Sequence, residues 1–187
     1  DKRVVDIFRP LWWLILNGPI LTFRPSKSGK AYQKIWDKDN HGSPLRKFTI
    51  NQTSKLKKVF ESYENISIEY AMRYGTPEIE KTLNNMTKKG CSKILLVPLY
   101  PQYAASTSAT VKDEVFKWML KQRWQPDLRT IAPWFDNHNY IKALAETVKK
   151  NIKNKNKLDK LIVSFHGIPK RYFMAGDPYH CHCIKSA

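Results

Sequence analysis

One histidine closes an apolar run, in Ser-Phe-His-Gly-Ile-Pro over 164–169. Imidazole changes charge near neutral pH, and its neutral form can accept a proton or ligate a metal. Inside a strand a lone histidine is ordinarily a satisfied core residue. Just past a strand's end, beside Gly167, His166 is better placed to work on a ligand. Rings and one cation gather at two similar positions, Arg73-Tyr74-Gly75 and Tyr100-Pro101-Gln102-Tyr103. A third cluster is Tyr179-His180-Cys181-His182-Cys183, whose density of Cys and His suggests a metal. Its Cys-x-Cys spacing is not the two-to-four-residue gap of structural zinc sites, and Cys91 lies far off in the sequence. A surface loop or an inter-domain contact is the plainer reading of that cluster. Other chemistries find no support. The glycines at 18, 29, 42, 75, 90, 167 and 176 never stand two apart, so there is no dinucleotide-binding G-x-G-x-x-G. A Walker loop and a G-x-S-x-G elbow are equally missing from the sequence.

These residues need elements to hold them. Residues 1–9 read as the end of a helix, and 10–23 as an apolar, irregular stretch broken by the turn signal Asn17-Gly18-Pro19. A short helix is expected over 26–36, with Tyr32, Ile35 and Trp36 on one face. Residues 37–44 form a loop. Alternation then becomes regular. Helical spacing covers 52–64 and a strand candidate covers 66–72. A helix opens at Thr76-Pro77, with Thr as N-cap, and ends at Lys88-Lys89-Gly90. A buried strand over 93–99 precedes a helix over 106–122. A short strand over 128–132, an amphipathic helix over 137–152 and a last buried strand over 161–165 follow. Strand and helix alternating in this way predict an α/β fold: a doubly wound parallel sheet with helices on both faces. Ligands of such sheets sit beyond the carboxyl ends of the strands, where the chemistry-bearing residues fall.

Composition narrows the partners. The 187 residues carry 33 Lys and Arg against 16 Asp and Glu, a formal charge of +17. Hydrophobic residues make up 42%, enough for a packed core, which excludes wholesale disorder. Lys is scattered through every helical stretch and densest over 149–160, the pattern of solvated faces. Arg is not concentrated, so no nucleic-acid partner is expected. The longest apolar run, 11–16, falls far short of the roughly 20 residues of a membrane span. Three cysteines make no disulfide framework and point to a reducing compartment. A cytoplasmic location is expected, at most peripheral at the inner membrane.

Five motifs stand in order along the chain: Gly-Ser-Pro-Leu (42–45), Met-Arg-Tyr-Gly (72–75), Leu-Tyr-Pro-Gln-Tyr-Ala-Ala-Ser-Thr (99–107), Ser-Phe-His-Gly-Ile-Pro-Lys-Arg-Tyr (164–172) and Gly-Asp-Pro-Tyr (176–179). Together they resemble ferrochelatase, most closely its proteobacterial type, and the resemblance covers essentially all of the chain. It implies one of two similar chelatase-like α/β domains, the N-terminal one, incomplete at its own N-terminus. Residues 170–187 would begin the connection to a C-terminal domain that brings a catalytic Glu. The implied reaction inserts ferrous iron into protoporphyrin IX to form heme, the last step of heme biosynthesis.

The resemblance also implies site residues. His166 matches the family's active-site histidine, taken as metal ligand or acceptor of pyrrole protons. Arg73 and Tyr74 match a pair lining the porphyrin pocket. Arg24, Lys27, Tyr32 and Ser43 match groups holding the propionates. Residues 7–23, with Leu11, Trp12 and Trp13, match an apolar lip. Protoporphyrin IX and ferrous iron are then substrates, and no tightly bound cofactor is expected. The [2Fe-2S] cluster of animal members is not supported, because Ala105 stands at the position of one of its cysteines. The physical chemistry agrees: porphyrin is flat, apolar on its faces and dianionic at its edge, suiting Trp and Leu on one hand and Arg and Lys on the other. Competing readings are a chelatase for another tetrapyrrole or metal, such as coproporphyrin or cobalt, and a basic module binding RNA or a membrane.

Overall fold

The computed structural model describes residues 2–36, 42–152 and 159–187. The chain forms two compact units, Asp1–Cys91 and Ser92–Ala187. The architecture is mixed α/β, and the second unit holds a parallel strand pair.

The first unit opens on helix α1 (Arg9–Ile15), with Pro10 in the first turn, where its missing N–H is no loss. Residues 2–8 are turn and coil, so the helix end expected over 1–9 is replaced by a helix start at Arg9. The stretch 10–23 is helical rather than irregular. Pro19 interrupts the regular bonding and the chain widens into a π-helical turn over Leu16–Ile20 before helix α2 (Leu21–Gln33). Two side chains bond the carbonyls around this turn: Asn17 Nδ2 donates to the Trp13 carbonyl at 2.9 Å, and Thr22 Oγ1 to that of Gly18 at 2.6 Å. No residue of α1 or α2 is buried. The helix expected over 26–36 therefore starts earlier and stops at Gln33, leaving Ile35 and Trp36 beyond it. Most of the loop expected over 37–44 lies outside the described residues.

Helix α3 (Pro44–Val59) again has proline in its first turn, and Lys57 and Lys58 in its last turn complement the helix dipole. It thus begins and ends earlier than the 52–64 reading. Helix α4 (Ile79–Lys88) is capped by Glu78 rather than Thr76, and Thr76-Pro77 is a cis peptide. Its end matches the expectation. Gly90 has φ +89°, the Gly90 N–H bonds the Thr87 carbonyl at 3.0 Å, and the Cys91 N–H reaches that of Met86 at 3.1 Å. That is a Schellman stop. Between α3 and α4, the strand expected over 66–72 does not form. Only Met72 makes an isolated bridge, to Glu78. Among the described residues the first unit offers no strand to pair with, and an unpaired strand has no ladder to stabilise it. Glu69 instead joins Lys57 at 3.3 Å and Lys89 at 3.5 Å.

The second unit is built on β1 (Lys93–Leu96) and β2 (Asp127–Thr130), parallel, with Ile94 opposite Leu128. Helix α5 (Thr110–Lys121), entered through a π-helical turn over Ala105–Ala109, makes the crossover. Its inner face carries Val115 and Trp118, 0% and 1% exposed, and with Ile94, Ala104 and Ala109 these form the core. β1 is shorter than 93–99 because Pro98 has no N–H for a ladder, and Leu95, 63% exposed, shows that one face is open. Helix α6 (His138–Ile152) starts as expected: Asn137 Oδ1 accepts the N–H groups of Asn139 and Tyr140 at 3.0 and 3.3 Å. The strand expected over 161–165 does not form. That segment joins no ladder, and Ile162 is 87% exposed. Two short helices follow, α7 (Lys170–Met174) and α8 (Tyr179–Ser186).

Candidate functional site

In the first unit, Leu11, Trp12 and Trp13 lie on α1, with Leu11 and Trp13 exposed. Arg24, Lys27 and Tyr32 are exposed on α2, where Arg24 and Lys27 stand one turn apart. Ser43 is the extended N-cap of α3 and makes no capping bond with its hydroxyl. Arg73 places its guanidinium 4.5 Å from the centroid of the Tyr74 ring, a cation–π contact that joins the two neighbours. Gly75, with φ +91°, turns the chain after them.

In the second unit, the strand ends lead to a small notch. Its cavity of about 10 Å³ lies among Pro98, Tyr103, Ser108, Lys112 and Trp134, room for about one water. Trp134 Nε1 donates to the Pro98 carbonyl at 3.4 Å and its ring meets Tyr140 edge-on at 4.9 Å. A tetrapyrrole has no seat in this notch.

His166 is exposed on an irregular segment. Beyond it stands α8, which sequence reasoning treated as a loop. Asp177 stands ahead of that helix. Its Oδ1 accepts the Tyr179 N–H at 3.0 Å, and its Oδ2 accepts the Ala105 N–H at 2.7 Å. Burial pushes the Tyr179 phenol up, the Cys183 sulfur adds to that, and the His166 N–H opposes it. Burial likewise pushes the Cys183 thiol up.

His182 is a structural acceptor. Its Nδ1 takes the Tyr103 N–H at 3.1 Å, and its ring stacks on Phe135 with centroids 3.8 Å apart and planes 12° apart. Ser186 Oγ donates to the Phe135 carbonyl at 2.8 Å and accepts from Gln102 Nε2 at 2.9 Å. Burial holds the His182 pKa below its ordinary value, Lys185 adds to this, and Asp136 and Asp177 oppose it. The five-residue Cys/His run thus splits by helical position. Cys183 and His182 face the protein, while Cys181 is exposed and His180 meets the edge of Phe173 at 5.6 Å.

The sequence held two signals for these anchors. Asp177-Pro178-Tyr179 has the spacing of an Asx turn, in which a carboxylate accepts the N–H two residues on. Tyr179/Cys183 and His182/Ser186 are i, i+4 pairs.

The family model described as Ferrochelatase matches residues 1–187. A protein named Ferrochelatase from Allorhizobium ampelinum is 49% identical over the whole chain, which covers 54% of that relative. Ferrochelatases from Agrobacterium fabrum and Nitrosococcus oceani are 46% and 45% identical, with 55% and 50% of their lengths covered. The chain spans about half the length of the curated relatives it matches. With a match that runs from the first residue to the last, the chain belongs to the ferrochelatase family.

Proposed function

We propose that this chain supplies part of the machinery that inserts ferrous iron into protoporphyrin IX, releasing two pyrrole protons and leaving heme. The observation that carries the reading is 49% identity, over every residue of the chain, to a protein named Ferrochelatase. His166 provides the lone pair that accepts a pyrrole proton or meets the incoming iron; exposure leaves its imidazole accessible to substrate. Arg24, Lys27, Tyr32 and Ser43 hold propionates, Arg73 and Tyr74 contact the macrocycle, and Leu11, Trp12 and Trp13 cover its apolar face. The helical run 9–33 supports a second role, peripheral contact with a membrane from the cytoplasmic side. No acidic residue occurs between Ile7 and Trp36, while Arg9, Arg24, Lys27, Lys30 and Lys34 do. Exposed Trp and Leu beside such cations suit the headgroup zone of an anionic bilayer.

Porphyrin absorbance and iron insertion test the reading. The chain, extended to the full length of its relatives, shifts the Soret band of protoporphyrin IX and converts it to heme. His166→Asn keeps the shift and loses insertion by two to four orders of magnitude, about what a general base contributes. Retained insertion in His166→Asn overturns the role of His166. Preference for coproporphyrin or for cobalt would reassign the substrate.

A further inference from the structure

We propose that Trp36, seated on Gly42, is the positioning residue that holds Tyr32 and Ser43 together as one propionate-binding pair. The inference rests on the role given to Tyr32 and Ser43 above and deepens it. Tyr32 lies on α2 and Ser43 caps α3. Two hydroxyls on different helices serve one set of carboxylates only when the helix ends are fixed to each other. Gly42 opens the Gly-Ser-Pro-Leu motif, directly ahead of Ser43.

The Trp36 indole occupies the space where a side chain at position 42 would stand. A Cβ on Gly42 would lie 2.8 Å from the Cε2, Cζ2 and Nε1 atoms of that ring. Gly42 also has φ +66°, a backbone conformation that other residues rarely adopt. Both conditions call for glycine, and together they let the ring rest on the main chain that leads into α3. On its other side Trp36 is fastened to α2. Beyond Gln33 the chain winds on in tighter turns, in which the N–H groups of Lys34, Ile35 and Trp36 meet the carbonyls of Ala31, Tyr32 and Gln33 at 3.3, 3.1 and 3.4 Å. Tyr32 thus stands about one turn before Trp36, and Ser43 directly follows Gly42. The indole bridges the end of α2 and the start of α3. The groups it joins suit a carboxylate. The Ser43 hydroxyl is not spent on capping its helix, and the first turn of α3 holds Arg46 and Lys47 with no acidic residue. α2 carries Arg24, Lys27 and Lys30 and no acidic residue either. Trp36 itself is 50% exposed, so its removal frees the junction without emptying a core.

The test compares protoporphyrin IX with its dimethyl ester, which keeps the macrocycle and has no carboxylates. Binding to the full-length protein is read from the Soret band. Trp36→Ala weakens binding of the acid about tenfold, the equivalent of one hydrogen bond to a charged group, and leaves binding of the ester unchanged. Trp36→Phe keeps a ring on Gly42 and restores most of the affinity for the acid. Gly42→Ala drives a Cβ into the indole and gives the same loss as Trp36→Ala. The two changes together cost no more than either alone, because they break one contact. If Gly42→Ala does not fold, the two Trp36 variants decide. In iron insertion, Trp36→Ala raises KM for protoporphyrin IX with kcat unchanged, as loss of uniform binding does. Equal weakening for acid and ester overturns the proposal, since a loosened fold alone would produce it. So does unchanged affinity in Trp36→Ala, additive losses in the double variant, or a fall in kcat at unaltered KM. Failure of the parent reading looks different. The unsubstituted protein would then bind the acid no more tightly than the ester, and the proposal would fall with it.

Discussion

Replacing His182 with phenylalanine separates what its ring does from what its nitrogen does. The ring stacks on Phe135 at 3.8 Å with planes 12° apart, and the nitrogen accepts the Tyr103 N–H at 3.1 Å. Phenylalanine keeps the stack, an aromatic pair of about 0.5–1.5 kcal/mol. It leaves the Tyr103 N–H without its acceptor, which costs about 1–3 kcal/mol when fully buried. Tyr103 is only half-buried, so the low end, about 1 kcal/mol, applies. For a chain of this size that lowers Tm by about 2–4 °C. His182→Ala loses stack and acceptor together and falls by roughly twice as much. The pH dependence is the sharper test. Burial and Lys185 hold the His182 pKa below 6.5, against the pull of Asp136 and Asp177. The unfolded chain therefore takes up the proton more readily than the folded one. The stability linked to neutral His182 is complete above pH 6.5 and is lost as the pH falls through that value. Thermal unfolding at pH 7.5 and pH 5.5 should show the unsubstituted chain losing Tm on acidification. His182→Phe should start lower and lose less. If His182→Phe matches the unsubstituted chain at pH 7.5, or declines just as steeply with acid, His182 does not hold the Tyr103 loop.

Three other outcomes follow from packing and charge. Trp118→Ala empties the centre of the second unit, where Trp118 is 1% exposed, and should cost about 3–5 kcal/mol in urea unfolding. Asn137→Ala removes the side-chain cap of α6 and should cost about 1 kcal/mol, with the loss of amide protection confined to the first turn of that helix. Trp12→Ala combined with Trp13→Ala should weaken cosedimentation with anionic liposomes by several-fold and leave Tm within about 2 °C, because no residue of α1 is buried.

The elements legible in the sequence are those fixed by local chemistry. Lys88-Lys89-Gly90 ends a helix because cations and a left-handed glycine satisfy the last carbonyls, whatever lies nearby. Asn137 starts α6 for the corresponding reason at the other end. The parallel pairing of β1 with β2 across α5 was legible as alternation. Strand extent was not. The runs 66–72 and 161–165 have the composition of strands, but a ladder needs a partner at the right register, and composition does not carry that information. Over 10–23, Asn-Gly-Pro reads as a turn, yet a π-helical turn absorbs Pro19 without breaking the helix, with Asn17 and Thr22 each bonding a carbonyl one turn back. The candidate site residues came by another route, from motifs that resemble those of the family.

The motifs mark residues of interest, and the contacts show what holds some of them in place. Gly-Asp-Pro-Tyr and Leu-Tyr-Pro-Gln-Tyr-Ala are separate words in the sequence, seventy-odd residues apart, and either could be taken for a ligand-binding loop. In the fold they are halves of one device. Asp177 grips Ala105, His182 grips Tyr103, and Ser186 joins Gln102 to Phe135. The loops after β1 and β2 are both tied to α8. α/β sheets place their chemistry beyond the carboxyl ends of strands, where loops are mobile unless something binds them. Here the binding element is α8, which follows the histidine segment and α7. A change at His182 or Asp177 should therefore loosen both strand-end loops together, as one coupled group rather than independent sites.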